Sequence, residues 1–261
     1  MGKCDGQEGL LSKMYRFFTA CENIRNDSVI IEGSDVNHIK NVLRMNIGEE
    51  IAVSNGVDGK EYRCAIRAFH EEYVDCELLF VKEDGVELPC KIYLFQGLPK
   101  GDKMETIVQK AVELGVYEVI PVSMSRCVMK LDDKRAAKKI QRYQEIARAA
   151  AKQSQRATIP CITDVMKLKE ACNYANCCNC KIIPYELAED MDFTRKVLDK
   201  IVPGDSVAVF IGPEGGFATE EVDLLRENGV IPITLGKRIL RTETAGMTFL
   251  SWMVYLLEGR N

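Results

Sequence analysis

The chain is poor in histidine and contains no long apolar run. Only two histidines, His38 and His70, occur among 261 residues, and no segment approaches the roughly 20 apolar residues that a membrane-spanning helix needs. The first residues, MGKCDGQEGLLSKMYRFF, lack the apolar centre of a secretory signal peptide. We therefore expect a cytoplasmic protein without a membrane segment.

Cysteine is abundant, but its pattern does not suit a disulfide framework. The eleven cysteines are an odd number, and without a secretory signal they are expected to be free thiols in a reducing compartment. The densest group comprises Cys172, Cys177, Cys178 and Cys180. A zinc site is the alternative there, but neither a second CxxC pair nor a nearby histidine completes it. We expect no metal.

Charge is distributed unevenly along a chain whose net charge is −4. Residues 121–160 carry 10 Lys and Arg against 3 Asp and Glu, whereas residues 186–227 carry 4 against 11. A basic segment on an acidic protein indicates an anionic partner that is met on one face. A solvated basic helix explains the same pattern without any partner.

Residues 14–83 have the pattern of a small β-rich domain. The runs SVIIEG, EEIAVSNG, EYRCAIRAF and YVDCELLFV have the alternation or the β-branched content of strands. Among them, DVNHIKNVLRM predicts a short helix that Asp35 caps and that turns Val36, Ile39, Val42 and Leu43 to one side. We expect the strands to close into a small β-barrel. A linker is expected at residues 82–89.

Residues 90–261 alternate between strand and helix patterns. KIYLFQG, YEVIPV, CKIIPY, SVAVFIG and IPITLG predict strands, and METIVQKAVELG, DKRAAKKIQRYQEIARAAAKQSQR and TFLSWMVYLLEG predict helices. This alternation is typical of a parallel sheet covered by helices on both faces. Ligands of such sheets bind beyond the carboxyl ends of the strands.

Three loops that follow predicted strands have an unusual composition. They are residues 212–216, GPEGG (the GPEGG loop), Leu235-Gly236, and residues 239–246, ILRTETAG, where Thr242 or Thr244 is expected to cap the last helix. Glycine lets the backbone approach a ligand closely. Neither the P-loop pattern nor G-x-G-x-x-G is present, and Glu214 would repel a phosphate, so the loops suit a cationic or neutral ligand. A tight turn that uses glycine for geometry alone is the alternative.

Several blocks together resemble the RsmE family of ribosomal RNA methyltransferases. IGPEGGF followed by LGKRILRTETA resembles the family's C-terminal signature, and KGDKMETIVQKAVELGV and ARAAAKQSQR resemble two further blocks in the same order. YRFF and HIKNVLRMNIGEEIAVSNG resemble its N-terminal domain. The resemblance covers nearly everything from Met14 onward, so that residues 1–13 precede the usual start.

This resemblance implies the α/β fold of the SPOUT methyltransferases. The C-terminal domain, residues 90–261, would be a parallel sheet flanked by helices and tied into a deep trefoil knot. The N-terminal domain, residues 14–83, would be a smaller PUA-like, RNA-binding β-barrel. The family also acts as a homodimer, and the apolar last helix is expected to supply the contact. Burial of that helix within one subunit is the alternative.

The activity implied by the resemblance is methylation of N3 of a specific uridine in 16S ribosomal RNA. Such a transferase uses S-adenosyl-L-methionine as cofactor and acts in rRNA processing during ribosome biogenesis. Two other functions stay open. One is a related enzyme that methylates the ribose 2′-oxygen, and the other is a non-catalytic RNA-binding protein of ribosome assembly.

Carried onto this sequence, the resemblance implies a cofactor site made by the three loops. The expected cofactor-binding residues are Ile211, Gly212, Pro213, Gly215, Leu235, Gly236, Ile239, Leu240, Thr242, Glu243, Thr244 and Ala245. Residues 184–186, PYE, are expected to join the wall. A guanidinium beside an exocyclic oxygen would stabilise the uridine anion, which makes Arg241 the first catalytic candidate. Glu214 is the second, as a base or as an orienting group; for each, a structural salt bridge is the alternative.

Cations that fall in matched blocks or at strand ends are expected to hold RNA. They are Arg16, Arg44, Lys100, Lys103, Arg126, Lys152 and Arg156. Such residues bind phosphates and set the register rather than read bases. A solvated side chain is the alternative for any one of them, so the expectation concerns the group.

Overall fold

A computed structural model describes residues 14–83, 86–129, 133–188 and 190–258. It divides the chain into two compact units, Met1–Gly85 and Val86–Asn261. Residues 1–13, which precede the usual family start, and the centre of the expected linker, residues 84–85, lie outside the described residues. No helix in the described ranges combines the length and the apolar character that a bilayer-crossing segment requires.

The N-terminal unit is a five-stranded sheet that curls around one apolar core. Its strands are β1 (Arg16–Phe18), β2 (Ser28–Glu32), β3 (Glu50–Ser54), β4 (Glu61–Phe69) and β5 (Tyr73–Lys82), in the order β1-β3-β4-β5-β2. Every pair is antiparallel except β1 with β3. Alternate residues, including Phe17, Ile31 and Ile51, fill the core. Thr19 Oγ1 donates to the Ile30 carbonyl at 2.6 Å, which joins the two edges of the curled sheet.

The short helix of this unit departs from its expected form. Helix α1 (Ser34–Asn37) begins without a side-chain cap and continues as a π-helical turn (His38–Val42). Asp35 therefore lies in the first turn rather than at the N-cap, and Val42, expected on the buried side, is 62% exposed. The π turn holds more residues than an α turn, so it breaks the 3.6-residue spacing on which that expectation rested.

The C-terminal unit contains a parallel sheet. Its strands are β6 (Lys91–Gly97), β7 (Glu118–Ser123), β8 (Cys161–Ile162), β9 (Met166–Lys167), β10 (Cys180–Pro184), β11 (Ser206–Ile211) and β12 (Ile231–Ile233). They follow the order β12-β10-β11-β6-β7-β8, with β9 paired to β7. Every ladder is parallel. All five strands predicted for this region are present, and β8 and β9 are additions to them.

Helices cover both faces of this sheet. They are α2 (Lys103–Glu113), α3 (Asp133–Gln153), α4 (Leu168–Tyr174), α5 (Met191–Leu198), α6 (Thr219–Glu227) and α7 (Thr242–Glu258). Phe95 and Phe210 share a core with residues of α4 and α6, whereas their strand neighbours Leu94 and Ile211 lie against Gly246 of α7. Neighbouring strand residues point to opposite faces, so α4 and α6 pack opposite α7.

The chain doubles back across the sheet before its last helix. Strand β12 lies at one edge of the sheet, whereas α7 contacts β11 and α2 in the interior of the unit. Residues 234–241 therefore pass over the carboxyl ends of the strands. This passage brings the second and third loops of unusual composition beside the GPEGG loop.

Candidate functional site

The three loops meet around one cavity of about 520 Å³. Residues 211–217 and 234–242 form most of its wall, with residues 184–186, Lys103 and Ala245 completing it. This place, beyond the carboxyl ends of β10, β11 and β12, is where open parallel sheets bind ligands. The volume falls within the range of small-molecule sites.

Nearly all of the expected cofactor residues line this cavity. The exceptions are Glu243 and Thr244, which are not part of its wall. Glu243 Oε2 instead lies 3.5 Å from Lys103 Nζ, and Thr244 is exposed, with its carbonyl accepting a hydrogen bond from Thr248 Oγ1 at 2.8 Å. The first turn of α7 thus contributes Thr242 and Ala245 to the wall.

Glu214 is tied to the segment that begins α2. Its carboxylate accepts hydrogen bonds from the Lys100 backbone N–H at 3.1 and 3.3 Å and lies 2.9 Å from Lys103 Nζ. Partial burial raises the pKa of Glu214, but the hydrogen bonds from Lys103 and from backbone amides outweigh it and hold the pKa below 4.5. A carboxylate held in its ionised form is a poor proton acceptor near neutral pH. The geometry therefore favours an orienting role over a basic one.

Lys103 connects two of the cavity's loops. Besides Glu214 in the GPEGG loop, its ammonium faces Glu243 in the first turn of α7. The hydrogen bond to Glu214 raises the pKa of Lys103. Lys103, expected from the sequence to bind RNA, thus has anionic partners within the protein.

A chain of neutral hydrogen bonds joins β6, α7 and the GPEGG loop. Gln96 Nε2 donates to Thr242 Oγ1 at 2.8 Å, and Thr242 Oγ1 donates to the Gly212 carbonyl at 2.6 Å. The expected caps of α7 are therefore wrong: Thr242 bonds across to another strand end, and Thr244 lies inside the first turn. Gln96 was missed by sequence reasoning. A polar residue at the end of the apolar run KIYLFQG was the signal that was available.

Close packing holds the GPEGG loop from two further sides. A Cβ atom on Gly97, at the end of β6, would lie 2.7 Å from both Cδ and N of Pro213. On the other side, Arg126 Nη1 donates to the Gly215 carbonyl at 2.9 Å, and a Cβ on Gly215 would lie 3.1 Å from Arg126 Cβ. A side chain at position 97 would clash with the backbone of Pro213, and a side chain at position 215 would require Arg126 to shift by a few tenths of an ångström.

Arg241 and Ile239 form the exposed rim of the cavity. Arg241 is exposed, and it has no acidic partner among the residues that the structure describes. Ile239 is 86% exposed. A guanidinium and an apolar side chain are thus both available to a ligand at the mouth of the cavity.

Two of the expected RNA-binding cations are buried. Arg16 pairs with Glu61 and donates to Ser54 Oγ at 2.8 Å. Arg156 pairs with Glu87 at 2.5 Å and donates to the carbonyls of Val112 and Val116 at 3.0 and 2.8 Å. These contacts give both arginines a structural role, because each guanidinium is already paired with a carboxylate of the protein.

The other expected RNA-binding cations are more accessible. Arg44, Lys100 and Arg126 are exposed, and Lys103 and Lys152 are half-buried. Arg44 adopts a left-handed backbone conformation with φ of 53°. Nothing in the structure tests RNA contact, so for these five residues it stays a prediction.

Comparison with known proteins agrees with the architecture of both units. Family models described as an RNA methyltransferase domain and an RNA methyltransferase PUA domain match residues 86–254 and 31–79. Ribosomal RNA small subunit methyltransferase E of Bacillus subtilis is 38% identical over 231 residues, which are 87% of this chain and 90% of that protein. The protein of the same name from Aquifex aeolicus is 31% identical over 246 residues, or 91% and 98% of the two chains.

A solved structure supports the same assignment. The crystal structure of a ribosomal RNA small subunit methyltransferase E from Neisseria gonorrhoeae bound to S-adenosyl methionine matches with a TM-score of 0.80 and 33% identity, covering 93% of this chain and 98% of that one. The expected SPOUT fold and PUA-like domain are thereby confirmed. The chain belongs to the ribosomal RNA small subunit methyltransferase E family.

Proposed function

We propose that this protein transfers the methyl group of S-adenosyl-L-methionine to N3 of a uridine in 16S ribosomal RNA. The observation that carries the proposal is the convergence of three loops on one cavity at the carboxyl edge of the sheet, in a chain of this family. The Neisseria gonorrhoeae relative binds S-adenosyl methionine. The relatives' names refer to RNA of the small ribosomal subunit.

The residues present fit this cofactor. Leu235, Leu240 and Ile239 offer an apolar surface for adenine, and the backbone of the same loops offers hydrogen bonds to its edge. The cofactor carries a cationic ammonium, a cationic sulfonium and an anionic carboxylate, which suits a wall that carries both acids, Glu186 and Glu214, and cations such as Lys237 and Arg238. Glu243 Oε2, buried beside this wall, has Lys103 Nζ as its ion-pair partner at 3.5 Å and accepts no hydrogen bond from another described residue.

The main contribution of the chain is alignment. When bound, S-adenosyl-L-methionine supplies an electrophilic methyl group on a sulfonium. Holding reactants in line lowers a barrier by up to about 7–11 kcal/mol. The GPEGG loop suits this work because contacts from β6, from the start of α2 and from α7 hold it in place.

Arg241 is proposed to stabilise the charge that develops on the uracil ring. N3 has no free lone pair until its proton leaves, and the resulting negative charge spreads over N3, O2 and O4. A guanidinium at the mouth of the cavity can bind one of these oxygens. Glu214 is proposed to orient the loop, since its lowered pKa makes it a weak base. The proton is then released to water.

Residues of both functional domains are proposed to contact RNA. We assign RNA binding to residues 14–83 and methyl transfer to residues 90–261. The exposed Arg44, Lys100 and Arg126 are suited to phosphate contacts. The exposed face of α3 adds further cations that phosphates can reach, namely Lys134, Lys138 and Arg148.

Two copies of the chain are proposed to associate through α7 in the cytoplasm. One face of this helix, including Phe249 and Met253, is buried in the subunit. The other face stays apolar, with Trp252 half-buried and Tyr255 80% exposed. An apolar surface on both sides of a helix favours an interface. Sedimentation at micromolar concentration tests this, and a monomer there would contradict it.

The activity is tested by mapping the methylated atom. Purified protein is incubated with methyl-labelled S-adenosyl-L-methionine and either 30S particles or naked 16S rRNA, and the modified nucleotide is then identified by mass spectrometry. We expect label on N3 of one uridine. Label on a ribose 2′-oxygen would identify the related enzyme, and RNA binding without any cofactor binding would identify an assembly protein; either result overturns the proposal.

A further inference from the structure

We propose that Gln96 and Thr242 are positioning residues that set the affinity for the cofactor by holding the carbonyl of Gly212. This inference rests on the function proposed above. Gln96 does not line the cavity, whereas Gly212 and Thr242 do. Gln96 is thus proposed to affect cofactor binding indirectly, through Thr242 and Gly212.

The direction of the hydrogen-bond chain is fixed at its buried end. The Nε2 group of Gln96 donates to the Gly97 carbonyl at 3.0 Å and to Thr242 Oγ1 at 2.8 Å. The threonine hydroxyl has a single proton. Because this hydroxyl accepts from Gln96, its proton is directed at the Gly212 carbonyl, 2.6 Å away.

Gln96 occupies a position where a polar side chain is costly. It is fully buried in a central strand of the sheet, and its Oε1 has no hydrogen-bond partner among the described residues. A buried acceptor without a partner destabilises a fold. An apolar side chain would avoid this cost, so the packing of β6 alone does not explain a glutamine here. Its amide group is explained by the bond that orients Thr242.

Gly97, the residue after Gln96, packs against the same GPEGG loop. A Cβ on Gly97 would approach Pro213 to 2.7 Å, which leaves the loop no room to move toward β6. The end of β6 therefore holds the loop in place through two consecutive residues. Gln96 acts through the hydrogen-bond chain, and Gly97 acts through van der Waals contact. These contacts from Gln96 and Gly97 involve no charged group, whereas Lys103 forms ion pairs with Glu214 and Glu243.

The test compares shape-preserving substitutions at the two residues. Thr242→Val keeps the branched side chain and removes the hydroxyl, and Gln96→Met keeps the length and removes the amide. We expect each to raise the Kd for S-adenosyl-L-methionine about 5–10-fold in calorimetry, the effect of one lost hydrogen bond. The KM for the cofactor should rise in parallel, while kcat at saturating cofactor changes less than about twofold.

The double variant and a conservative variant separate this role from a general loss of stability. If both residues act through one bond to Gly212, the double variant Gln96→Met/Thr242→Val binds no more weakly than either single variant. Thr242→Ser retains the hydroxyl and should return the affinity toward the wild-type value. Gln96→Leu is the second variant at the buried position, in case Gln96→Met does not fold. Its side chain has no group that can donate to Thr242, so the affinity should again fall.

Ser206→Ala is the matched control. Ser206 lies at the opposite end of β11, where its hydroxyl bonds to Asn179 Oδ1 at 2.8 Å, so the same kind of bond is lost far from the cavity. Its cofactor affinity should equal that of the wild type. Cofactor binding by Thr242→Val that matches the wild type, or losses that multiply in the double variant, would overturn the inference. A wild-type protein that binds no cofactor would instead overturn the proposed function.

Discussion

The two ends of the parallel sheet shift the pKa of a glutamate in opposite directions. At the carboxyl end, Glu214 is paired with Lys103, and its pKa is lowered. At the amino end, Glu118 begins β7, where burial raises its pKa even though Tyr174 donates to it at 3.0 and 3.2 Å. Nearby cations and backbone amides thus decide the direction in which the pKa of a carboxyl group shifts in this fold.

The amino end of the sheet carries cysteine and tyrosine side chains, of which some are buried and others exposed. The Sγ atoms of Cys177 and Cys178 lie 3.9 Å apart, and burial raises the pKa of Cys178 to about 12, which keeps that thiol protonated. Tyr93 and Tyr117 pack with ring centroids 5.2 Å apart. Within the described ranges, no cluster of three or more potential ligands could hold a metal. The ion pairs beside the cavity, in which Lys103 contacts Glu214 and Glu243, lie at the carboxyl end.

The largest effect is expected from Arg241→Ala at the carboxyl end. Loss of the group that stabilises developing charge should lower kcat by about 10²–10³-fold, with the cofactor Kd changed only a few-fold. Single-turnover methylation of 30S particles measures it. Arg238→Ala removes a neighbouring cation that lines the same cavity and should retain most of the activity. An Arg241→Ala enzyme as fast as the wild type would remove Arg241 from the chemistry.

A smaller effect, on binding, is expected from Glu214→Gln. If Glu214 anchors the GPEGG loop, the variant should raise the cofactor Kd about tenfold, as expected for one lost charge-assisted hydrogen bond. Lys103→Met should do the same, and the double variant should add little to either change. Calorimetry and initial rates separate the outcomes. A fall in kcat with unchanged cofactor affinity would instead identify Glu214 as the base.

A several-fold effect on RNA affinity is expected from removing cations outside the cavity. Arg44→Gln and Lys152→Gln should each reduce the slope of log K against log salt by about 0.7–0.9 if each residue contacts one phosphate. Filter binding of 16S rRNA between low and physiological salt measures the slope. Lys169→Gln, at an exposed cation on α4, is the control. An unchanged slope would remove the residue concerned from the RNA footprint.

The smallest effects, on stability, should have opposite signs at the two ends. The lowered pKa of Glu214 means that its stabilisation is present above pH 4.5 and is lost as the pH falls below that value. The raised pKa of Glu118 has the opposite effect on stability. Its charged form destabilises the folded state, and this destabilisation grows as the pH rises above 4.5. At pH 7, Glu214→Gln should therefore lower Tm by a few degrees and Glu118→Gln should raise it. Both differences should shrink as the pH approaches 4, and Tm shifts of the same sign at pH 7 would refute the contrast.

The parts of the fold that depend on local pattern were predictable from the sequence. The apolar spacing of Met104, Ile107, Val108, Ala111 and Val112 predicted the buried face of α2, and all five are buried. Period and β-branched content predicted the long strands, but β8 and β9 have two residues each, too few to show a period. The expected burial of Val42 was wrong, because the π turn after α1 has a different number of residues per turn from an α-helix.

Contacts between distant residues were beyond prediction from local pattern. Arg16 pairs with Glu61 across 45 residues, and Arg156 pairs with Glu87 across 69, so both looked like free cations. Gln96 meets Thr242 across 146 residues. The family resemblance and the glycine-rich loops located the cavity, whereas the contacts that fix its wall emerged only from the fold.

The central claim is that the GPEGG loop and the two turns before α7 together hold the methyl donor beside Arg241. A crystal structure of the protein grown with saturating S-adenosyl-L-methionine tests it most directly. The claim predicts the donor within the cavity formed by residues 211–217 and 234–242, with its methyl group facing the rim that carries Arg241. A donor bound elsewhere, or density absent from this cavity at saturation, would contradict it.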